Sequence, residues 1–195
     1  SVMAQTLYKR LKDEEPSCTI DVVSPEWSLP LMQRMPEVSK VIISPYSHGD
    51  IHILSRYRFG KNLRKYNYDR AIILTNSLKS SLIPFFADIP IRTGWVGELR
   101  YILLNDIRHF KEESNSLMVE KFAALSIQKS NFSVENLTFP SLETNLKNQR
   151  ENLEKLNINS DLPCLGICPG AEFGPSKKWP AQYFAAVAKE YLSRG

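Results

Sequence analysis

Residues 164–180 have the sequence CLGICPGAEFGPSKKWP, in which a short apolar run leads into a glycine-bearing loop that ends in two lysines. The apolar run Cys164–Cys168 is typical of a buried strand. Pro180 is a favoured first helical residue, and the apolar spacing as far as Tyr191 predicts a helix with one apolar face. The segment therefore predicts a strand, a loop and a helix of an open α/β sheet. In such sheets, loop amides and helix N-termini beyond the strand's carboxyl end bind anions.

The loop does not match the phosphate-binding P-loop of ATPases. Its lysines do not directly follow the second glycine, and no Ser or Thr comes after them to hold magnesium. An ordinary strand-to-helix turn with solvated lysines remains an open alternative.

Upstream, amphipathic helices alternate with short apolar strands. The predicted strands cover 19–23, 41–43 and 71–74, and the predicted helices cover 2–11, 29–35, 53–65, 79–86 and 116–129. Pro84 is expected to kink or restart its helix. Alternation of this kind predicts a parallel sheet covered on both faces.

A polar, turn-rich stretch from 130 to 145 predicts a domain boundary, which divides the chain into 1–141 and 142–195. A charged helix, 146–156, then precedes the strand and helix described above. Because so few elements cannot bury a core, we expect the second domain to be truncated. Since the chain opens inside a helical pattern, we also expect the first strand of the first domain to be missing.

Composition indicates an ordinary globular protein, with 43% hydrophobic and 24% charged residues. The net charge of +4 is too small for a dedicated nucleic-acid binder. No run of 18 apolar residues predicts a membrane span, and no signal peptide opens the sequence. Three cysteines without a His or Cys cluster predict neither a disulfide framework nor a zinc site.

Several motifs in a fixed order resemble one enzyme family, the ADP-heptose:lipopolysaccharide heptosyltransferases of glycosyltransferase family 9. They are Met35-Pro36-Glu37-Val38, Thr75-Asn76-Ser77-Leu78-Lys79-Ser80, Arg92-Thr93-Gly94-Trp95, Gly97-Glu98-Leu99-Arg100-Tyr101 and the loop 169–175 with its Lys-x-Trp-Pro element. The resemblance is strongest to the members that add the second heptose of the lipopolysaccharide inner core.

The resemblance implies a GT-B architecture, with an N-terminal Rossmann-like domain for the acceptor and a C-terminal domain for the sugar nucleotide. It implies inverting transfer of heptose from ADP-L-glycero-D-manno-heptose to the heptosylated inner core. In the family, an aspartate just before the position of Val2 is thought to be the catalytic base, and that position precedes this chain. We therefore expect the chain alone to be an inactive fragment.

The resemblance also assigns residues to the donor side. Lys177 matches the family lysine and is expected to neutralise the leaving diphosphate, because negative charge concentrates there in the transition state. The nucleotide-sugar pocket is expected to include Gly170, Ala171, Glu172 and the weaker candidate Lys178. Glu172 could instead simply favour the helix dipole. No cofactor and no strictly required metal are expected.

On the acceptor side, Asn76, Ser77 and Lys79 follow a predicted strand and begin a predicted helix, which suits an acceptor rich in hydroxyl and anionic groups. The alternative is that Asn76 or Ser77 merely caps the helix. Arg100 is the preferred acceptor contact of the 97–101 motif. His48, in a turn-rich loop after a strand, is a further candidate.

The expected partners are therefore ADP-heptose and a lipid A-linked inner-core oligosaccharide, with no nucleic acid. The expected location is cytoplasmic, with peripheral contact at the anionic inner membrane through the basic helix 53–65. Two alternatives stay open. One is a heptosyltransferase I-like or other GT-B enzyme with a different acceptor, and the other is a non-catalytic phosphate-binding module.

Overall fold

The computed structural model describes residues 2–46, 51–109, 117–126, 137–159, 162–171 and 174–193. The chain divides into two compact units, Ser1–Glu143 and Thr144–Gly195, whereas the sequence placed the boundary after residue 141. We describe each unit separately.

The first unit alternates helices and strands. In chain order its elements are α1 (Gln5–Glu14), β1 (Asp21–Ser24), α2 (Leu29–Met32), β2 (Lys40–Ile43), α3 (Ile53–Leu63), β3 (Arg70–Ile73), α4 (Leu78–Phe86), β4 (Ile91–Trp95), β5 (Asp106–Arg108) and α5 (Met118–Ala123). β1 pairs with β2, and β3, β4 and β5 pair in that order, all in parallel. The predicted α/β class with parallel strands is confirmed.

Two apolar clusters hold the helices to the strands. Ala4, Leu7 and Tyr8 of the first helical segment pack with Met32, Met35 and Leu125. The second cluster joins the end of α3 to α4 and the approach to β4, through Leu63, Ile83, Ala87 and Ile89. Burial of a Leu, Ile or Met side chain contributes about 1.5–3 kcal/mol, so these clusters hold the helices against the strands.

Two strands were not predicted from the sequence. β4 contains the polar Thr93 and the small Gly94, and β5 is only three residues long, with Asp106 and Arg108 at its ends. Neither shows the apolar run or the strict alternation by which strands are recognised. Their pairing through Thr93 and Gly94 becomes evident only in the folded sheet.

Helix α4 runs through Pro84 as one element, so the predicted restart does not occur. Pro84 lacks the N–H that would bond to the preceding turn, yet its own carbonyl oxygen accepts from the Ile89 nitrogen at 3.2 Å. The position lies only two residues from the end of the helix, where losing one bond costs least.

The second unit contains α6 (Leu146–Lys155) and α7 (Ala181–Leu192), both close to their predicted bounds. Asn145 caps α6 by accepting a hydrogen bond from the Asn148 nitrogen at 3.0 Å. The predicted strand at 164–168 is wrong, since none of the described residues of 144–195 is assigned to a strand. A strand requires a ladder of hydrogen bonds to a neighbour, and the described part of this unit supplies none.

Within the described ranges, the helices are all too short or too polar to cross a bilayer.

Candidate functional site

The donor-side loop of the second unit is exposed. Lys177 ends a short 3₁₀ turn, Pro175–Lys177, and its nitrogen donates to the Gly174 carbonyl oxygen at 3.3 Å. Gly174 makes this turn with a positive φ of 76°, a conformation that favours glycine. Both Lys177 and Lys178 are at the surface, which permits contact with a ligand.

The remaining donor-side candidates differ in what the structure says of them. Gly170 and Ala171 are exposed, and a Cβ built on Gly170 would meet no described atom within 4 Å. Packing within the described protein therefore does not explain a glycine there. Glu172 lies outside the described residues. The roles of these residues in binding a nucleotide sugar stay predictions.

An aromatic cluster fixes the point where this loop enters α7. The Trp179 ring stacks on Tyr183 with centroids 5.6 Å apart and meets Phe184 edge-on at 4.7 Å. Pro180 is the residue before the first helical position and not the first helical residue itself. The role of Trp179 was not predicted from the sequence, although its i+4 and i+5 spacing to aromatic residues is the signal that indicates it.

The acceptor-side candidates lie at the carboxyl end of β3. Asn76 is exposed and Ser77 is half-buried just before α4. Ser77 occupies the N-cap position, but its side chain makes no capping hydrogen bond. Instead the Leu78 nitrogen, at the start of the helix, donates to Oε2 of Glu98 at 2.6 Å. The capping alternative therefore fails for Ser77, because a carboxylate from the β4–β5 connection does this work.

Arg100 lies underneath this loop, with only 1% of its surface exposed. Its Nη1 donates to the carbonyl oxygen of Thr75 at 2.6 Å, and its Nη2 donates to that of Trp95 at 2.7 Å. Burial lowers the pKa of Arg100, although the nearby Glu98 charge partly opposes this effect. The predicted direct contact between Arg100 and an acceptor is not supported, because the guanidinium faces the protein and not its surface.

Two glycines permit this close arrangement. A Cβ on Gly97 would lie 3.2 Å from the carbonyl oxygen of Asn76. A Cβ on Gly94 would lie 3.0 Å from Leu104 Cδ1 and 3.5 Å from Arg100 Nη2. The two recognised motifs around residues 92–101 and 75–80 are thus parts of one packed junction.

A second buried arginine links α3 to α4. Arg56 is 4% exposed, its Nε donates to the Ile51 carbonyl oxygen at 2.7 Å, and its Nη1 donates to that of Lys79 at 3.3 Å. Its guanidinium also lies over the Tyr46 ring at 4.1 Å, a cation–π contact. Arg56 therefore does not belong to the exposed basic face, which consists of Arg58 and Lys61 of α3 with Arg64 and Lys65 of the 3₁₀ turn that follows it. His48 lies outside the described residues.

Comparison with known proteins identifies the family of the chain. Residues 56–195 match the family described as Glycosyltransferase family 9 (heptosyltransferase). The chain belongs to this family.

Curated relatives are similar along the whole chain. "Lipopolysaccharide heptosyltransferase 2" of Escherichia coli (strain K12) is 43% identical over 199 residues, covering 100% of this chain and 57% of the relative. "Lipooligosaccharide heptosyltransferase 2" of Haemophilus influenzae (strain ATCC 51907 / DSM 11121 / KW20 / Rd) is 44% identical, covering 100% and 58%. The family 9 chain described here therefore spans a little over half the length of these relatives.

Solved structures agree with the assignment. "Structure of E. coli ADP-heptose lps heptosyltransferase II" superposes with a TM-score of 0.88 at 41% identity, covering 100% of this chain and 58% of that one. A family 9 glycosyl transferase from Veillonella parvula DSM 2008 superposes with a TM-score of 0.81 at 16% identity, which supports the fold alone.

Proposed function

We propose that this chain carries the acceptor-binding part and the beginning of the donor-binding part of a heptosyltransferase. The proposed reaction moves heptose from ADP-L-glycero-D-manno-heptose to the heptosylated inner core of lipopolysaccharide, with inversion at the anomeric carbon. The observation that carries the proposal is identity of 43% along the entire chain to the E. coli relative named "Lipopolysaccharide heptosyltransferase 2". We propose the same donor and the same class of acceptor here.

The proposed donor chemistry rests on the cations at residues 177 and 178. As the acceptor hydroxyl attacks, the bond to the diphosphate breaks and negative charge develops on the departing ADP. A cation within reach stabilises this charge more in the transition state than in the ground state, and so accelerates transfer. Lys177 is exposed at the end of the 3₁₀ turn that precedes α7 and is the residue to which we assign this task. The proposal requires no cofactor and no metal.

The proposed acceptor surface is the loop Thr75–Ser77 with Lys79. An exposed amide and a hydroxyl suit sugar hydroxyl groups, and an ammonium group suits carboxylates or phosphates of the inner core. The surface is exposed at Asn76 and adjoins the N-terminus of α4. We further propose that the exposed basic face of α3 and the 3₁₀ turn after it contacts anionic lipid at the cytoplasmic side of the inner membrane. Each cation near such a surface contributes about 1 kcal/mol.

The test uses a chimera in which this chain replaces the matching region of the E. coli relative. We expect the chimera to transfer heptose from ADP-heptose to an acceptor that already bears one heptose. An acceptor without heptose should be a poor substrate. Preference for the acceptor without heptose would instead indicate a heptosyltransferase I-like enzyme, and ADP binding without any transfer would contradict the proposal.

Lys177→Ala in the chimera is the matched residue test. Loss of one preorganised charge contact typically lowers kcat about 10²–10³-fold. Lys189→Ala, which removes an exposed lysine from the last turn of α7, is the control and should leave kcat unchanged. Equal activities of the two variants would refute the role of Lys177.

A further inference from the structure

Arg100 joins three pieces of the first unit at one point. Besides its bonds to the carbonyl oxygens of Thr75 and Trp95, its Nη1 donates to Ser81 Oγ at 3.2 Å. Thr75 follows β3, Trp95 ends β4, and Ser81 lies in the first turn of α4. One planar guanidinium therefore fixes the distances among the end of β3, the end of β4 and the start of α4. The loop lies between β3 and α4.

The same side chain sets the orientation of the exposed Asn76. Arg100 Nη2 donates to Asn76 Oδ1 at 3.4 Å. The oxygen end of that amide therefore faces the buried guanidinium, while the residue as a whole is exposed. On the other side, Glu98 Oε2 accepts from the Leu78 nitrogen and holds the start of α4. Arg100 therefore holds the segment 76–78 at Asn76, and Glu98 holds it at Leu78.

A buried charge of this kind is costly for stability alone. Among the described residues, no carboxylate forms an ion pair with Arg100 within 4 Å, and its acceptors are carbonyl, amide and hydroxyl oxygens. Its Nε is buried without a hydrogen-bond partner. Transfer of a charged group out of water costs several kcal/mol, and among the described contacts only hydrogen bonds to neutral oxygens compensate for it here. The arrangement is therefore better explained by the geometry that the guanidinium imposes.

We propose that Arg100 is a positioning residue, which fixes the shape of the loop Thr75–Ser77 and thereby acceptor binding, without touching the acceptor. The link to the acceptor rests on the function proposed above. The link to loop shape rests only on the contacts just described.

The loop-shape part is tested on the chain itself by amide hydrogen exchange. In Arg100→Met, exchange at residues 76–79 should accelerate, since the contacts that hold the loop are lost, while exchange in β1 should stay as in the unsubstituted chain. Arg70→Lys is the matched control. Arg70 is also partly buried and donates to Thr93 Oγ1 and to the carbonyl oxygens of Ser126 and Leu125, but it begins β3 at the opposite end. It should leave exchange at 76–79 unchanged.

The acceptor part is tested in the chimera. Hydrogen bonds to a charged group contribute enough that KM for the acceptor should rise about tenfold or more in Arg100→Met. KM for ADP-heptose should stay constant, and Arg100→Lys should recover part of the loss. Arg70→Lys should change neither KM.

Each alternative outcome overturns the proposal in a recognisable way. Unchanged exchange at 76–79 with a raised acceptor KM would mean that Arg100 contacts the acceptor directly. Equal increases in both KM values would mean general damage to the fold. An active Arg100→Met chimera with an unchanged acceptor KM would refute the link to binding. If the unsubstituted chimera transfers no heptose, the proposed function fails, and the exchange experiment still decides the loop-shape claim.

Discussion

Gly60→Ala tests how closely α3 and α4 pack, which determines where the start of α4 and the proposed acceptor loop before it lie. A Cβ at residue 60 would be 2.7 Å from the Ile83 carbonyl oxygen and 2.8 Å from Phe86 Cβ. It would also be 3.1 Å from the Ala87 nitrogen. The Ala87 nitrogen donates to the same Ile83 oxygen at 2.9 Å, so the crowded atoms belong to the helix backbone. Relief of the overlap requires movement of the helix, not rotation of a side chain.

Two opposing contributions determine the sign. Alanine inside a helix is favoured over glycine by about 1 kcal/mol. Overpacking a well-packed contact costs about 1–3 kcal/mol, and backbone overlap belongs at the upper end of that range. We therefore expect Gly60→Ala to reduce the free energy of unfolding by about 1–2 kcal/mol, as the difference of these two contributions. For a domain of this size each kcal/mol lowers Tm by roughly 2–4 °C.

The assay is urea and thermal denaturation followed by circular dichroism, with Asn62→Ala as the matched control. Asn62 is an exposed residue of the same helix, so its replacement should be neutral or stabilising by up to about 0.5 kcal/mol. If Gly60→Ala stabilised the chain as Asn62→Ala does, the close α3–α4 contact would be refuted.

Two pH predictions follow from buried groups in the same unit. Burial raises the pKa of Tyr8 to about 12, so the folded state loses stability as pH rises from 10 to 12, where only the unfolded chain ionises. Tyr8→Phe should abolish up to about 3 kcal/mol of this alkaline loss, measured by urea denaturation at both pH values, and equal losses in both proteins would contradict it. Burial raises the pKa of Asp106, but hydrogen bonds from Arg108 and Thr93 outweigh this and hold it below its usual range. Asp106 therefore stabilises the fold above about pH 4 and loses this contribution below it, so Asp106→Asn should show a smaller loss of Tm on acidification, and parallel Tm profiles would refute the assignment.

The sequence predicted the helices and strands whose apolar pattern is local. α1, α3, α4, α6 and α7 were found near their predicted bounds, as were β1, β2 and β3. The helices carry apolar residues at helical spacing, and the strands are short, largely apolar runs. β4 and β5 were not predicted because they carry polar and small residues where a strand pattern requires apolar ones. These residues make contacts in the junction beneath the proposed acceptor loop. Thr93 donates to Asp106 Oδ2, and Gly94 makes room for Arg100 and Leu104.

The site was predicted less completely than the fold. Sequence position correctly placed Asn76 and Ser77 after a strand and before a helix, because strand and helix propensities are local properties. Burial of a charged side chain is not local. Nothing in the order of residues 97–101 indicates that Arg100 turns inward while Leu99 remains 83% exposed. The same limitation applies to Arg56, which lies within the predicted basic helix 53–65 but is buried with its guanidinium over the Tyr46 ring.

The unpredicted burial of Arg56 and Arg100 has a common physical explanation, and this explanation bears on the proposed acceptor surface. Each guanidinium donates to backbone carbonyl oxygens near α4: Arg56 to that of Lys79 and Arg100 to that of Thr75. Because a guanidinium presents its donors in a fixed plane, it can hold several backbone segments at set distances, which a lysine cannot do. The segment between them, residues 75–79, is thus held from two sides while Asn76 stays exposed. Preorganisation of this kind reduces the entropy lost on binding, so the proposed acceptor loop should gain affinity from residues that, in our proposal, do not contact the acceptor.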